Sequence, residues 1–410
     1  MERNTDKYWV TEFNFMDEIM QMCDHLPEKV SIYDNTLREG DQTPGCIMRT
    51  EEKLALAHDL DDLGVDFIEI FPAVSPDDAE ALRELCKPGV LKHAKMSALV
   101  RPDTGDLELA NDCGCKHIFL EGPGNMDLAG AMLGVTDEDA YINMYVKTAQ
   151  KAKEYGMGIT ACPWDIGKAP MALVEKWVKR LAAAGVDDIA YGDTFGFTMP
   201  WAVQYMVKKY REWAGPDVII SCHFHNDYGL ATANTLAAVS AGASRVQVAM
   251  NNIGERAGNT PLDEVVVNLN LNMGVKTDIK LEKLYSISRR IEKITRFPIA
   301  RNKPILGEHV FDMGSGILVD VLKKLENNGG KPHIILPFDP SLVGRPPYRV
   351  VWGKGAGRTM VRNKLESMGL TADKDQIKEI LLAIKEEALI TKNLLSETDV
   401  ETLINNILKK

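Results

Sequence analysis

The feature that most constrains the fold of this chain is a repeated alternation. Short apolar, β-branched runs recur at residues 31–36, 65–71, 95–100, 117–122, 158–164, 188–194, 219–225 and 245–251, each separated from the next by a helical pattern. Runs that are apolar on both faces suit parallel strands covered by helices. Eight βα units in about 250 residues match one closed (β/α)8 barrel, whose active site is built at the C-terminal ends of its strands. Helix signals between the runs agree. Glu51 and Glu52 complement a first-turn dipole, Leu56, Leu60 and Leu63 share one face, and Gly64 stands at C′. Thr136 with Asp139 reads as a capping box for a helix closing at Gly156.

From about residue 299 the rhythm breaks. Pro304, Gly307, Gly314 and Gly316 punctuate a connection to a helix ending near Glu326, and Asn327-Asn328-Gly329-Gly330 is a turn. Amphipathic helices are expected at 357–368 and 375–390, and a last one is opened by Ser396 and Asp399 as a capping box. The expected class is α/β: a leader over 1–30 with one short helix near 13–22, a TIM barrel over 31–298, and a small, mainly helical C-terminal subdomain over 299–410 serving as lid or dimerisation arm.

Composition limits the functions open to such a chain. A formal net charge of −11 with no basic stripe argues against nucleic acid as a partner. No apolar run of about 18 residues is present, and Met1-Glu2-Arg3-Asn4-Thr5-Asp6 lacks the regions of a signal peptide, so a cytoplasmic protein without membrane contact is expected. Seven cysteines without a CxxC argue against a disulfide framework. Cys113 and Cys115 read as helix-end packing, and Cys222 faces away from the histidines beside it.

The chemistry-bearing positions fall at the ends of the first, seventh and eighth runs. His223 and His225, at i and i+2 on a strand, point to the same side and can share one ion. The first run leads into Asp34-Asn35-Thr36-Leu37-Arg38-Glu39-Gly40-Asp41-Gln42, where Asp34 is a hard oxygen ligand and Arg38 a bidentate grip for a carboxylate. The eighth leads into Gly254-Glu255-Arg256-Ala257-Gly258-Asn259, and Asn259 completes a metal shell through its amide oxygen or a bound water. Taken singly, a strand-end His is more often a hydrogen-bonded core residue, and Asp-x-x-x-Arg a salt bridge. Their joint occurrence at three adjacent strand ends favours a metal site.

These three runs, with His223-Phe224-His225-Asn226-Asp227-Tyr228-Gly229-Leu230 and Trp352-Gly353-Lys354-Gly355-Ala356-Gly357-Arg358, resemble the DRE-TIM metallolyase superfamily over roughly residues 30–370. Within it they look like the isopropylmalate, homocitrate and citramalate synthase branch, which includes Re-face citrate synthases. The resemblance implies Asp34, His223 and His225 as divalent-metal ligands with Asn259 in support, Mg²⁺ or Mn²⁺ ahead of Co²⁺ or Zn²⁺. It implies an acyltransferase in which acetyl-CoA, as co-substrate, undergoes Claisen-type condensation with a 2-oxo acid held by Arg38. A homodimer is implied as well. Gln42, Glu69, Arg101 and Thr194 are assigned with Arg38 to the substrate. Lys354 and Arg358 meet a CoA phosphate or simply decorate a tight turn.

Departures from the branch pattern are informative. Its two subdomain histidines correspond here to Met313 and Leu318, which leaves His309 and Asp312 as candidates for the base that enolises acetyl-CoA, or as a hinge His and a capping Asp. Thr160-Ala161-Cys162-Pro163-Trp164-Asp165 and Gly122-Pro123-Gly124-Asn125 replace the customary loops, so a different keto acid is expected. The chain ends at Lys410, and feedback control through an extra regulatory domain is not expected. The competing readings are a hydroxymethylglutaryl-CoA lyase-like cleavage and a catalytically silent binding barrel.

Overall fold

The computed structural model describes residues 4–102 and 104–409; Met1-Glu2-Arg3 of the expected leader lie outside the described residues. Two compact units are present, one spanning Thr11–Ile299, the other formed by the described residues from 300 onward together with residues 4–10.

In the first unit eight parallel strands close on themselves: β1 (Ser31–Asp34), β2 (Phe67–Ile70), β3 (Lys95–Val100), β4 (His117–Pro123), β5 (Gly158–Trp164), β6 (Asp188–Asp193), β7 (Ile219–Phe224) and β8 (Arg245–Val248). Each pairs with its successor, and β1 pairs with β8 in register Ser31 to Arg245 through Asp34 to Val248. The fold is thus the expected (β/α)8 barrel. Two strands stop two or more residues before the ends of their apolar runs. β1 ends because the Asp34 carboxylate accepts from Thr36 N at 2.9 Å and turns the chain. β8 ends because Asn251 and Asn252 take left-handed φ of 58° and 60°, which no ladder tolerates.

Alternation sends every second strand residue into the lumen. Tyr33, Phe67, Leu99, Phe119, Cys162 and Ala190, from six successive strands, pack there as one buried cluster, with Tyr33 stacked on Phe67 at 5.4 Å. At the N-terminal end of the lumen Arg245, the first residue of β8, donates to Asp188 at 2.8 Å and lies over the Phe67 ring at 4.5 Å. Thr160 adds a second bond to the same carboxylate at 2.9 Å.

Local signals explain the helices around the barrel. Thr50–Leu63 ends at Gly64, whose φ of 102° and approach to Asp278 O leave no room for a Cβ. The expected Thr136–Asp139 capping box is replaced one residue on. Asp137, the stronger acceptor, takes Ala140 N at 2.7 Å and opens Glu138–Glu154. Cys113 and Cys115 donate to the carbonyls of Ala79 and His117 at 3.4 and 3.1 Å, as packed thiols do.

The second unit holds helices Gly316–Asn327, Arg358–Ser367, Lys374–Thr391 and Glu397–Leu408, with a two-residue parallel pairing of Asp312–Met313 and Arg349–Val350. Ser396 and Asp399 form the expected capping box. The leader is divided between the units. Residues 4–10 join the second through Asp339 N to Lys7 O at 2.6 Å and a Lys331–Asp6 ion pair, while a short helix, Asp17–Met22, belongs to the first. Among the described residues no helix is long and apolar enough to cross a membrane.

The lumen pair yields a stability prediction. Arg245→Leu leaves the Asp188 carboxylate buried with one neutral partner and should cost about 3–5 kcal/mol. Urea unfolding of the single variant and of Arg245→Leu/Asp188→Leu measures it, the double variant recovering part of the loss.

Candidate metal centre

Strand parity decides which carboxylate reaches the histidines. Tyr33 lies in the lumen and bonds Ser97 Oγ at 2.7 Å, so Asp34 points to the opposite face. Its oxygens are taken by Thr36, from the amide at 2.9 Å and the hydroxyl at 3.0 Å, and Thr36 Oγ1 in turn accepts from Met250 N at 2.9 Å. The expectation that Asp34 is a metal ligand is therefore corrected: Asp34 folds the loop. Burial lifts its carboxyl to about 7, against the hydrogen bonds from Thr36.

The loop so folded is a single turn, with Arg38, Glu39 and Gly40 amides all donating to Asn35 O at 3.0, 2.9 and 3.2 Å. It carries Glu39 over the barrel mouth, where Glu39 Oε1 stands 2.8 Å from His225 Nε2 and Oε2 stands 3.3 Å from His223 Nε2. The two Nε2 atoms are 3.3 Å apart. Donor atoms of Glu39, His223 and His225 all fall within 4.8 Å of one another, and all three residues are buried. Asn259, paired with His225 as an antiparallel bridge, donates to Glu39 Oε2 at 2.8 Å. The loop bearing it is tied to its neighbours by Thr43 with Gly254 and by Arg256 with Asp227. Gly258, at φ 85°, sits against Asn252 O with no space for a side chain.

Arg38 is buried behind Glu39. It donates to Glu69 at 2.9 and 3.4 Å, meets Glu39 Oε2 at 2.9 Å and lies 3.9 Å from Glu121 Oε2. Burial by itself would raise the Glu39 carboxyl, but Arg38 and both imidazoles outweigh it and hold the group well below the usual carboxylate range. Glu69 lacks the imidazoles, and burial pushes it up to about 7. Glu121 is raised by burial too.

The donor set fits a divalent cation. Two imidazole nitrogens and a carboxylate oxygen converge, and the buried Asn259 Oδ1 has no hydrogen-bond partner. Three carboxylates, Glu39, Glu69 and Glu121, face one guanidinium, an acidic surplus that favours a cation. His223 Nδ1 meets Gln247 Oε1 at 3.0 Å, the outer bond that orients a ligating imidazole. A second grouping, Asp66, His93 and Asp278, already has Lys29 Nζ on Asp278 at 2.5 Å.

The site opens into a cavity of about 490 Å³ lined by Arg38, Gln42, Arg101, Thr194, His223 and His225, together with Glu121, Trp164 and Leu133. Four sequence-derived substrate residues thus share one wall. Two of them are otherwise engaged: Asp106 grips Arg101 at 2.7 and 3.0 Å, and Thr194 Oγ1 accepts from Asp165 N at 2.9 Å. Glu69 serves Arg38. His309 and Asp312 lie in the second unit, bonded to each other at 2.7 Å, and Arg349 shares the Asp312 carboxylate. Lys354 and Arg358 are exposed there, on the turn opening Arg358–Ser367.

Sequence reasoning missed Glu39, Gln247 and Glu121. Gln247 had a signal, as a polar residue in the buried run Arg245-Val246-Gln247-Val248, and register places it beside His223. Glu121 had one as well, an acid two residues after Phe119 in an apolar strand. Glu39 had none beyond standing next to Arg38.

Comparison with known proteins gives the family. Residues 29–291 match the HMGL-like family model. The chain is 34% identical over 382 residues to the (R)-citramalate synthase of Methanocaldococcus jannaschii, covering 93% of this chain and 75% of that one. It is 32% identical over 381 residues to a homocitrate synthase of Methanothermobacter thermautotrophicus, covering 92% and 93%. Among solved structures the HMG-CoA lyase of Bacillus subtilis superposes with a TM-score of 0.60 at 22% identity, over 68% of this chain and 97% of that one. The chain belongs to the HMGL-like family.

The site makes a discriminating prediction. Glu39→Ala and His223→Ala should each weaken Mn²⁺ binding by at least about tenfold, with Gln247→Leu losing about 10–100-fold through its orienting bond. Asp34→Asn should retain the metal. Metal content after equilibrium dialysis measures all four; loss in Asp34→Asn alone would return the ligand role to Asp34.

Proposed function

We propose that this HMGL-like protein is an acyltransferase that condenses acetyl-CoA with a 2-oxo acid and, as water hydrolyses the thioester, gives a 2-hydroxy di- or tricarboxylic acid and CoA. One observation carries the reading. Glu39, His223, His225 and a buried arginine converge on a single cavity at the C-terminal mouth of a barrel whose relatives bear synthase names. A divalent cation held by Glu39, His223 and His225, with Asn259 Oδ1 in support, would act as a Lewis acid on the ketone of a chelated 2-oxo acid.

The chain's own groups supply the remainder. Arg38 has five N–H donors and three engaged contacts with Glu69 and Glu39, which leaves two for a substrate carboxylate or a developing alkoxide. Those donors are fixed in place before reaction, in a buried setting where they act strongly. Gln42 and Thr194 border the keto acid, and Arg101 joins them by exchanging Asp106 for substrate. Lys354 and Arg358, beside the N-terminus of Arg358–Ser367, are proposed to meet a CoA phosphate. His309, oriented by Asp312, is the proton-transfer candidate from the second unit. The protein is proposed to work as a cytoplasmic homodimer. Likeness to solved lyases, at 22% identity, speaks to the fold alone.

The test is thiol release from acetyl-CoA with a panel of 2-oxo acids, with Mn²⁺ or Mg²⁺ and again after chelation. Release with one acid, abolished by chelation and restored by metal, is expected. Silence across the panel together with cleavage of a hydroxyacyl-CoA would replace the synthase reading with a lyase.

A further inference from the structure

Condensation needs a base at the acetyl methyl, and the barrel wall contains an acid that nothing else employs. Glu121 lies two residues after Phe119 on β4, so its side chain enters the lumen on the same face and emerges in the cavity shared by His223 and His225. Its carboxylate is largely buried, 17% exposed, yet among the described residues it makes no side-chain hydrogen bond. Its ion-pair partner, Arg38 Nη1, is 3.9 Å away. Every other acid around it is committed: Glu39 to the imidazoles, Glu69 to Arg38 and Asp34 to Thr36.

A supporting role for Glu121 does not account for this placement. Glu69 already holds Arg38 at 2.9 Å, and a third carboxylate beside one guanidinium adds repulsion. A buried carboxylate without a hydrogen bond persists where a ligand completes it or where its basicity is used. The position of Glu121 next to Arg38 also matters, because the carbanion carbon and the ketone carbon must approach to about 3–3.5 Å.

We infer that Glu121 is the catalytic base that removes the methyl proton of acetyl-CoA, an assignment that rests on the condensation reading above. The C–H bond breaks and its proton passes to the Glu121 carboxylate. The electron pair forms the C–C double bond of the enolate as the thioester C–O π pair moves onto oxygen. The enolate carbon then bonds to the ketone carbon of the 2-oxo acid, whose π pair becomes an alkoxide facing Arg38. The proton held by Glu121 neutralises that alkoxide, so the carboxylate is restored. Water then attacks the product thioester, the C–S bond breaks, and CoA leaves as the free thiol with a proton from that water.

The experiment measures deuterium entering the acetyl-CoA methyl in D₂O, with Mn²⁺ and oxamate present to fill the keto-acid site without reacting. Thiol release is followed in parallel. Glu121→Gln, which keeps shape and loses basicity, should lower both exchange and kcat by about 10²–10⁴-fold. Bound Mn²⁺ and the KM for the 2-oxo acid should stay within about threefold of the unsubstituted enzyme, and Glu121→Asp should recover part of the exchange. Wild-type exchange in Glu121→Gln, alongside its loss in His309→Gln, overturns the assignment and gives the role to His309. A raised KM at unchanged kcat also overturns it, making Glu121 a substrate-holding group. If the unsubstituted enzyme releases no thiol with any 2-oxo acid, the condensation reading itself fails and takes this inference with it.

Discussion

The structure turns on one buried carboxylate. Glu39 sits buried at the barrel mouth with an imidazole on each oxygen, a guanidinium on one of them and an amide beside it. An uncompensated ion at that depth would cost several kcal/mol, so its neighbours have to be basic and well placed. Arg38, equally buried, needs an anion of its own and takes it from Glu69 on the next strand. The cluster is consequently a chain of mutual compensation that spans β1, β2, β7 and the loop after β8. Removing Arg38 or Glu39 would leave its buried partner without compensation.

Period-two alternation explains both what the sequence revealed and where the reading went astray. The eight strands were legible because buried parallel strands are continuous apolar runs, and β3 and β5 fall on their expected bounds. His223 and His225 were legible because both obey the alternation, one on β7 and one just past its end. Asp34 obeys it too, and Tyr33 in the lumen puts Asp34 on the far side. Applying to Asp34 the same parity used for the histidines would have removed it from the ligand set.

Glu39 was hidden for a different reason. It lies on neither a strand nor a regular helix but in one turn whose three amides share Asn35 O, and no periodicity predicts where such a turn aims a side chain. The turn exists because Asp34 and Thr36 tie their side chains back to the backbone and to Met250. Residue types thus signalled the chemistry, while the hydrogen bonds that set its geometry depend on contacts distant in sequence. Glu69 and Arg38 were likewise both named as substrate residues, yet their pairing divides the work: one anchors, the other retains free donors for a ligand.

Two imidazoles with Nε2 atoms 3.3 Å apart pose a problem of direction. Gln247 Oε1 accepts from His223 Nδ1, and Glu39 beside Nε2 outweighs burial to raise the proton affinity of the ring. Glu39 lies within reach of both Nε2 atoms and has no proton to give, since its neighbours hold it ionised. Protons on the imidazoles can satisfy the carboxylate, but then two donors meet across 3.3 Å and Asn259 Oδ1 is still unpaired. A divalent cation held by Glu39, His223 and His225 would replace those opposed donors and offset the acidic surplus of the mouth. The converging imidazoles and carboxylate therefore suit a divalent cation at this centre.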